Sequence, residues 1–297
     1  LNLPYDSRNE FEVTLTSLKS YVSGSGKNRS RKEHARWQDI IVAHAESTGT
    51  GTRLTFRFDV PEGLRESDAV RDNGTYYIWR LAVTAELDGA DLDRSFDIPV
   101  YATAQQSRRL SQLAVERGRA RQSARAAESV QKIIQLVQDG GQRRMKYPMG
   151  RNFGPSLGGF IVGATFAAVG AYLVVEEGQR VFGSVFGGIG ALVALATIYA
   201  LFNSLEVTRD ASGFRTVRRW LGIPVKRSHM GSHEFARFSR KSSFQTQGGG
   251  KYIMHYTVYA EDRNGRKLVV GEGFKGESQA DAATEFIARE LGLASLD

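Results

Sequence analysis

The hydrophobic and polar positions of this chain change rhythm four times. Between residues 10 and 100, short alternations dominate: Glu10-Phe11-Glu12-Val13-Thr14-Leu15, Arg53-Leu54-Thr55-Phe56-Arg57-Phe58-Asp59-Val60, Tyr77-Ile78-Trp79-Arg80-Leu81-Ala82-Val83-Thr84-Ala85 and Arg94-Ser95-Phe96-Asp97-Ile98-Pro99-Val100. A period of two puts successive side chains on opposite faces of a strand. Turn-rich segments separate the alternations: Ser23-Gly24-Ser25-Gly26, Thr48-Gly49-Thr50-Gly51, Asp72-Asn73-Gly74 and Asp88-Gly89. Residues 1–103 are therefore predicted to form an antiparallel β-sandwich.

Residues 105–138 lack proline, and Leu113, Ala120, Ala124, Ala127, Ile134 and Val137 recur near a three–four spacing. That predicts one long basic helix of ~50 Å at 1.5 Å per residue. Gly118 weakens it by ~1 kcal/mol relative to alanine, and Gly140-Gly141 supplies a stop. Such a helix has three uses: a surface helix packed on its neighbours, an alanine-rich seam between subunits, or a helix lying on anionic lipid.

The rhythm then disappears. Residues 157–175 and 181–202 carry no charge, and each run is long enough for a bilayer core that needs about 20 helical residues. The polar spacer Glu176-Glu177-Gly178-Gln179-Arg180 forces the two runs into an antiparallel helical hairpin, residues 153–203. Alternation returns in residues 204–297, with predicted strands at 205–208, 214–220, 223–227, 235–238, 252–260 and 267–270. Asp262-Arg263-Asn264-Gly265 reads as a hairpin turn. A last helix is predicted over 277–291, with Ser278 as N-cap, Phe286, Ile287 and Leu291 on one face, and Gly292 after it. The fold class is thus an α+β membrane protein: antiparallel β-sandwich (1–103), basic helical connector (104–152), two-helix transmembrane hairpin (153–203) and a β domain capped by one helix (204–297).

Composition sharpens this picture. The 297 residues contain 40 Lys+Arg, 32 Asp+Glu, five His and no Cys. The absence of cysteine excludes a disulfide-stapled scaffold, a thiolate metal site and a cysteine nucleophile. The mean hydropathy of −0.33 conceals the concentration of apolar residues in one stretch. Charge is distributed just as unevenly. Residues 1–103 hold 13 basic and 16 acidic side chains, 104–152 hold 11 and 3, 153–203 hold 1 and 2, and 204–297 hold 15 and 11. The basic excess flanks the apolar hairpin, which fits an anionic membrane surface better than a nucleic-acid groove.

Arg143, Arg144, Lys146 and Arg151 precede the hairpin, and Arg209, Arg215, Arg218, Arg219, Lys226 and Arg227 follow it. By the positive-inside rule both flanks face the cytoplasm and the short loop lies outside. The Asn73-Gly74-Thr75 sequon is then no glycan site. Arg143, Arg144, Lys146, Arg151, Arg218 and Arg219 are the candidate contacts to anionic lipid or to a partner. Gly154 and Gly158, Gly159 and Gly163, and Gly183 and Gly187 each sit four apart. That spacing lets helix backbones approach closely, either within the hairpin or between subunits.

Candidate chemistry is sparse. Neither span contains an ionisable residue, which argues against a proton relay or ion site in the hairpin alone. Gly24-Ser25-Gly26-Lys27 departs from a phosphate loop: Tyr21 stands where the first glycine belongs, and Asn28 follows the lysine. The nearby Lys27, Arg29, Arg31 and Lys32 read as an exposed charged loop or a site for an acidic partner. His229 and His233 have metal spacing for a helix, but Gly231 lies between them and no third ligand is near. No cofactor, metal or small-molecule substrate is expected. Nucleic acid is not expected either, because the basic residues lack aromatic stacking partners.

Gly24-Ser25-Gly26-Lys27-Asn28-Arg29-Ser30 followed by Trp37-Gln38-Asp39 resembles an uncharacterised family of bacterial inner-membrane proteins. Trp79-Arg80-Leu81, Leu92-Asp93, Ser95-Phe96 and Ile98-Pro99-Val100 fit the same pattern. The resemblance covers about the first hundred residues. It implies an arrestin-like (immunoglobulin-like) sandwich, an inner-membrane location and further membrane segments before Leu1. The meandering strands and terminal helix of 204–297 look like a bacterial pleckstrin-homology-like domain. The function expected is that of a non-enzymatic, membrane-anchored interaction or scaffold protein. Its partners would be the anionic bilayer and either copies of itself or another membrane protein. The alternative is an oligomeric channel or transporter accessory subunit.

Overall fold

Strand β1 (Glu12–Ser23) turns through a short 3-10 segment, Gly26–Asn28, into β2 (Ser30–Val42). The computed structural model describes residues 3, 5–71, 74–103, 112–139, 142–151, 153–248 and 251–293. A small hairpin follows, β3 (His44–Ser47) and β4 (Thr52–Thr55), then β5 (Tyr76–Ala85) and β6 (Leu92–Ile98). Four of these strands make an antiparallel sheet in the order β2-β1-β5-β6. Val13, Ile41 and Val83 of this sheet pack against Ala45, Leu54, Phe56 and Phe58, so the β3–β4 side covers one face in a sandwich-like arrangement. Trp37 and Trp79 pack beside Leu15 with ring centroids 5.7 Å apart.

Helix α1 (Gln112–Ile133) comes next, and here the structure corrects the expected connector. The helix ends at Ile133. Residues beyond it form β7 (Gln135–Asp139) and β8 (Gln142–Tyr147), an antiparallel pair. The physical reason is a period of two at the end of the segment: Met145 and Tyr147 are fully buried and flank exposed Lys146. Gly140 and Gly141, expected to stop the helix, and residues 104–111 of the connector lie outside the described residues.

The two apolar runs form α2 (Phe153–Val175) and α3 (Arg180–Leu201). Both are long and apolar enough to cross a membrane, and only 11% of each apolar window is buried. The chain then returns through β9 (Asn203–Asp210), β10 (Gly213–Trp220) and β11 (Ile223–Gly231). β9 pairs directly with β8, Tyr147 opposite Leu205. The helical hairpin is therefore an excursion between two neighbouring strands of one sheet, ordered β11-β10-β9-β8-β7. Its two ends are tied where the Gly150 N–H donates to the Leu201 carbonyl at 2.9 Å.

A three-stranded sheet of β12 (Phe235–Gly248), β13 (Lys251–Asp262) and β14 (Lys267–Lys275) follows, and α4 (Gly276–Glu290) closes the chain. Met145, Tyr147, Val207 and Phe214 of the larger sheet share a core with Val258, Val270 and Phe274 of the smaller one. Ala280, Ala283, Phe286 and Ile287 of α4 and Val130 and Ile134 of the α1 segment complete it. Leu18, Ala35 and Ile78 of the first sheet belong to that same core, so the two β-rich units are not separate modules. Ser278 is not the N-cap of α4. The cap position is Lys275, and Ser278 lies inside the first turn.

Candidate functional site

Two polar clusters organise the molecule. The first lies at the foot of the helical hairpin, where β8, β9, β10 and β14 converge. Glu272 on β14 accepts a two-pronged pair from Arg218, at 2.6 and 3.1 Å, and a further hydrogen bond from Arg151. Glu206 on β9 accepts from Arg144 at 3.3 Å and from Arg219. Arg151 also donates to the carbonyls of Tyr147 and Pro148, each at 3.2 Å. Tyr147 is fully buried and donates its hydroxyl to the Val270 carbonyl at 2.9 Å. Burial, reinforced by Glu272, pushes the Tyr147 phenol well above its ordinary range. Burial lowers the Arg151 pKa, and Glu272 offsets only part of that. For Arg218 burial acts against the charge, but the Glu272 pair prevails and the net shift is upward.

Four guanidiniums thus share two carboxylates, and the excess of positive charge sits where the apolar helices begin and end. Arg144, Arg151, Arg218 and Arg219, expected as contacts to lipid or a partner, are each paired within the chain to Glu206 or Glu272. Guanidinium–carboxylate forks of this kind hold their geometry better than single ion pairs. Lys146 is exposed, and the side chain of Arg143 lies outside the described residues. The two glutamates were missed from sequence because their partners are 54 to 121 residues away for Glu272 and 13 to 62 for Glu206.

The glycines divide. A Cβ at Gly163 would lie 2.6 Å from Ala194 N, and one at Gly183 would lie 2.7 Å from the Gly170 carbonyl. Gly159 faces Thr197, and Gly187 sits against Gly170. Gly170 and Gly190, not singled out from spacing, belong to the same contact: a Cβ on either would lie 2.3–2.4 Å from backbone of the opposite helix. Gly158 is a correction as far as packing within the hairpin goes, because its Cβ position is open. The surroundings of Gly154 lie outside the described residues.

The second cluster joins the first sheet to α4. Trp37 Nε1 donates to the Glu277 carboxylate. Gln38, wholly buried, donates to the Tyr252 carbonyl and to Thr16 Oγ1 at 2.9 Å, and accepts the Met254 N–H at 2.8 Å. Asp39 accepts the Ser278 N–H at 2.8 Å and the Ser278 hydroxyl at 2.7 Å. Helix starts carry unsatisfied N–H donors, and here a strand from the other unit supplies the acceptor. Arg240 pairs with Glu277 and Asp281 beside it. Burial raises the Asp39 pKa against the Ser278 hydrogen bonds, and burial pushes Asp281 up to about 6.

The other expectations lie on the periphery. Lys27, Arg29 and Lys32 are exposed around the β1–β2 turn, while Arg31 donates to the Gly74 carbonyl at 3.2 Å. Asn73 lies outside the described residues. His229 on β11 has its Nε2 3.5 Å from the Ser212 hydroxyl, and His233 follows that strand. Among the described residues no three His, Asp or Glu side chains are grouped to hold a metal.

No protein-family model matches the chain, and no curated protein matches it. Among solved structures the chain is similar to Spo0M, a sporulation control protein from Bacillus subtilis, with 9% sequence identity and a TM-score of 0.20. The match covers 76% of this chain and 79% of that one.

Proposed function

We propose that this protein is a non-enzymatic membrane anchor and interaction platform of the bacterial inner membrane. In this reading α2 and α3 cross the bilayer as a hairpin, and both β-rich units stand together on the cytoplasmic side. The supporting observation is the apolar surface of the hairpin. Ile161, Val175, Val181, Leu192 and Leu195 are each more than half exposed, and leaving a surface of that size in water is costly. The arginine excess at the hairpin's foot agrees with cytoplasmic placement. The first sheet with its β3–β4 cover is read as an arrestin-like sandwich. The two later sheets closed by α4 are read as a pleckstrin-homology-like domain.

The partner is a second copy of the chain or another membrane protein. Light scattering and cross-linking of the detergent-purified chain test this, and the expected result is a defined oligomer or a co-purifying protein. A strictly monomeric, partner-free species would overturn it. Ion conductance in liposomes containing the chain would replace it with the channel-subunit reading. Recovery of the chain in the supernatant after ultracentrifugation without detergent would remove the membrane placement altogether.

A further inference from the structure

The turn between β10 and β11 is built against the usual rules for a turn in water. Trp220 pairs with Ile223, so Leu221 and Gly222 are its two central residues. Both have positive φ, +49° and +84°, the requirement of a type I′ hairpin turn, where Asn or Asp before Gly is the norm. A leucine there is held in the left-handed region that favours glycine and asparagine. Its side chain is 52% exposed, and those of Ile223 and Val225 are 63% and 49% exposed. Three large apolar residues at or beside one tip are therefore each about half exposed or more among the described residues.

The position of the tip gives its partner. Trp220 pairs with Asn203, the first residue of β9 and two residues past the end of α3. The Leu221 N–H donates to the Phe202 carbonyl at 3.2 Å, and Trp220 stacks on Tyr199 of α3 with centroids 6.4 Å apart. The tip is thus fixed at the level of the last turn of α3. Charge points the same way: residues 211–233 contain five Lys or Arg and no Asp or Glu. Arg218 and Arg219 are paired to Glu272 and Glu206, which they share with Arg151 and Arg144. Lys226 and Arg227, next in the chain after the apolar tip, are exposed, and no ion pair with another described residue is seen for either.

We infer that residues 221–225 form an interfacial wedge. Leu221, Ile223 and Val225 enter the boundary between headgroups and acyl chains of the leaflet from which α3 emerges, and Lys226 and Arg227 rest on anionic headgroups. Apolar side chains backed by cations are the composition of an interfacial anchor, and each cation near such a surface adds to the attraction. The inference rests on the membrane placement of the hairpin. It adds a second attachment that would hold the β-rich unit at a set angle to the bilayer instead of letting it swing on two helix ends.

The chain has no cysteine, so one introduced thiol carries a unique label. The 297-residue chain bearing I223C, labelled with an environment-sensitive fluorophore, is reconstituted into vesicles of phosphatidylcholine and phosphatidylglycerol. I189C in the middle of α3 reports the hairpin. A211C lies at the opposite end of β10, roughly 26 Å away at 3.3 Å per residue. The expected result is loss of emission at Ile223 to lipids carrying a quencher near the headgroup, deeper-quencher loss at Ile189, and no loss at Ala211. Quenching at Ile189 with none at Ile223 or at a V225C repeat would overturn the wedge and leave the hairpin standing. No quenching at Ile189 would defeat the membrane placement and the wedge with it. Equal loss at Ile223 and Ala211, or protection of Ile223 that appears only as protein concentration rises, would also overturn the wedge, the latter in favour of a second copy.

Discussion

Asp39 is almost wholly buried, and its two carboxylate oxygens accept both donors of Ser278. It does for α4 what a local capping side chain does elsewhere, although it lies 239 residues earlier in the chain. Losing a cap side chain costs roughly 0.5–2 kcal/mol, and D39A is expected to lower stability by about that much. Chemical denaturation followed through the tryptophan fluorescence of the detergent-solubilised chain would show it, because Trp37 sits in the same cluster. Burial, with a smaller contribution from Glu277, raises the Asp39 pKa; relief of that penalty works in the other direction and keeps the loss at the modest end of that range. The residues Trp37-Gln38-Asp39 stood out in the sequence only as part of a resemblance. That they clamp two units together was not legible, because Glu277, Tyr252, Met254 and Ser278 become neighbours only on folding.

At the scale of elements, α2 and α3 meet through backbone. Two glycines, Gly170 and Gly187, approach so closely that an added Cβ on Gly170 would stand 2.3 Å from Gly187 Cα. No side-chain rotation relieves a clash with backbone, so G170L should force the helices apart at a cost of ~1–3 kcal/mol, the usual range for overpacking. Cross-linking between cysteines placed across the hairpin should become less efficient in G170L and stay unchanged in G158A, whose Cβ meets nothing. Equal effects of the two would contradict the assigned interface. The small-residue spacing announced close packing, but which glycines face the partner helix depends on how that helix is rotated.

β2 shows the opposite case. Its pairing with β1 shifts between Ser17 and Leu18, leaving Arg36 as an extra residue. The bulge turns Ala35 to the face of Leu18 and Trp37 to the face of Leu15, so both faces of β2 are covered and Trp37, Gln38 and Asp39 are buried in succession.

For the molecule as a whole, the decisive feature is that the hairpin interrupts a sheet without disturbing it. Tyr147 and Leu205 are partners in adjacent strands, so the chain ends left by removing residues 149–202 are close enough for a short turn to join. Such a variant should stay in solution without detergent and keep the β-sheet circular dichroism signal. It should also melt in one transition, because Leu18, Ala35 and Ile78 of the first sheet lie in the same core as Phe214 and Phe286. Two separate transitions, by dichroism and by tryptophan fluorescence, would show that the units fold independently.

The features that the sequence determined by itself are those in which neighbours along the chain do the work. The uncharged runs had to be helices of membrane-spanning length, since length and apolarity are local properties. The terminal helix and the Asn264-Gly265 turn were equally local. Tertiary structure alone decided that α1 stops at Ile133, that β8 and β9 pair across an insertion of 55 residues, 148–202, and that the arginines at the hairpin's foot spend their charge on Glu206 and Glu272. Each of those outcomes depends on which distant groups come within hydrogen-bond reach, and a buried charge or strand edge takes its partner from the folded chain around it.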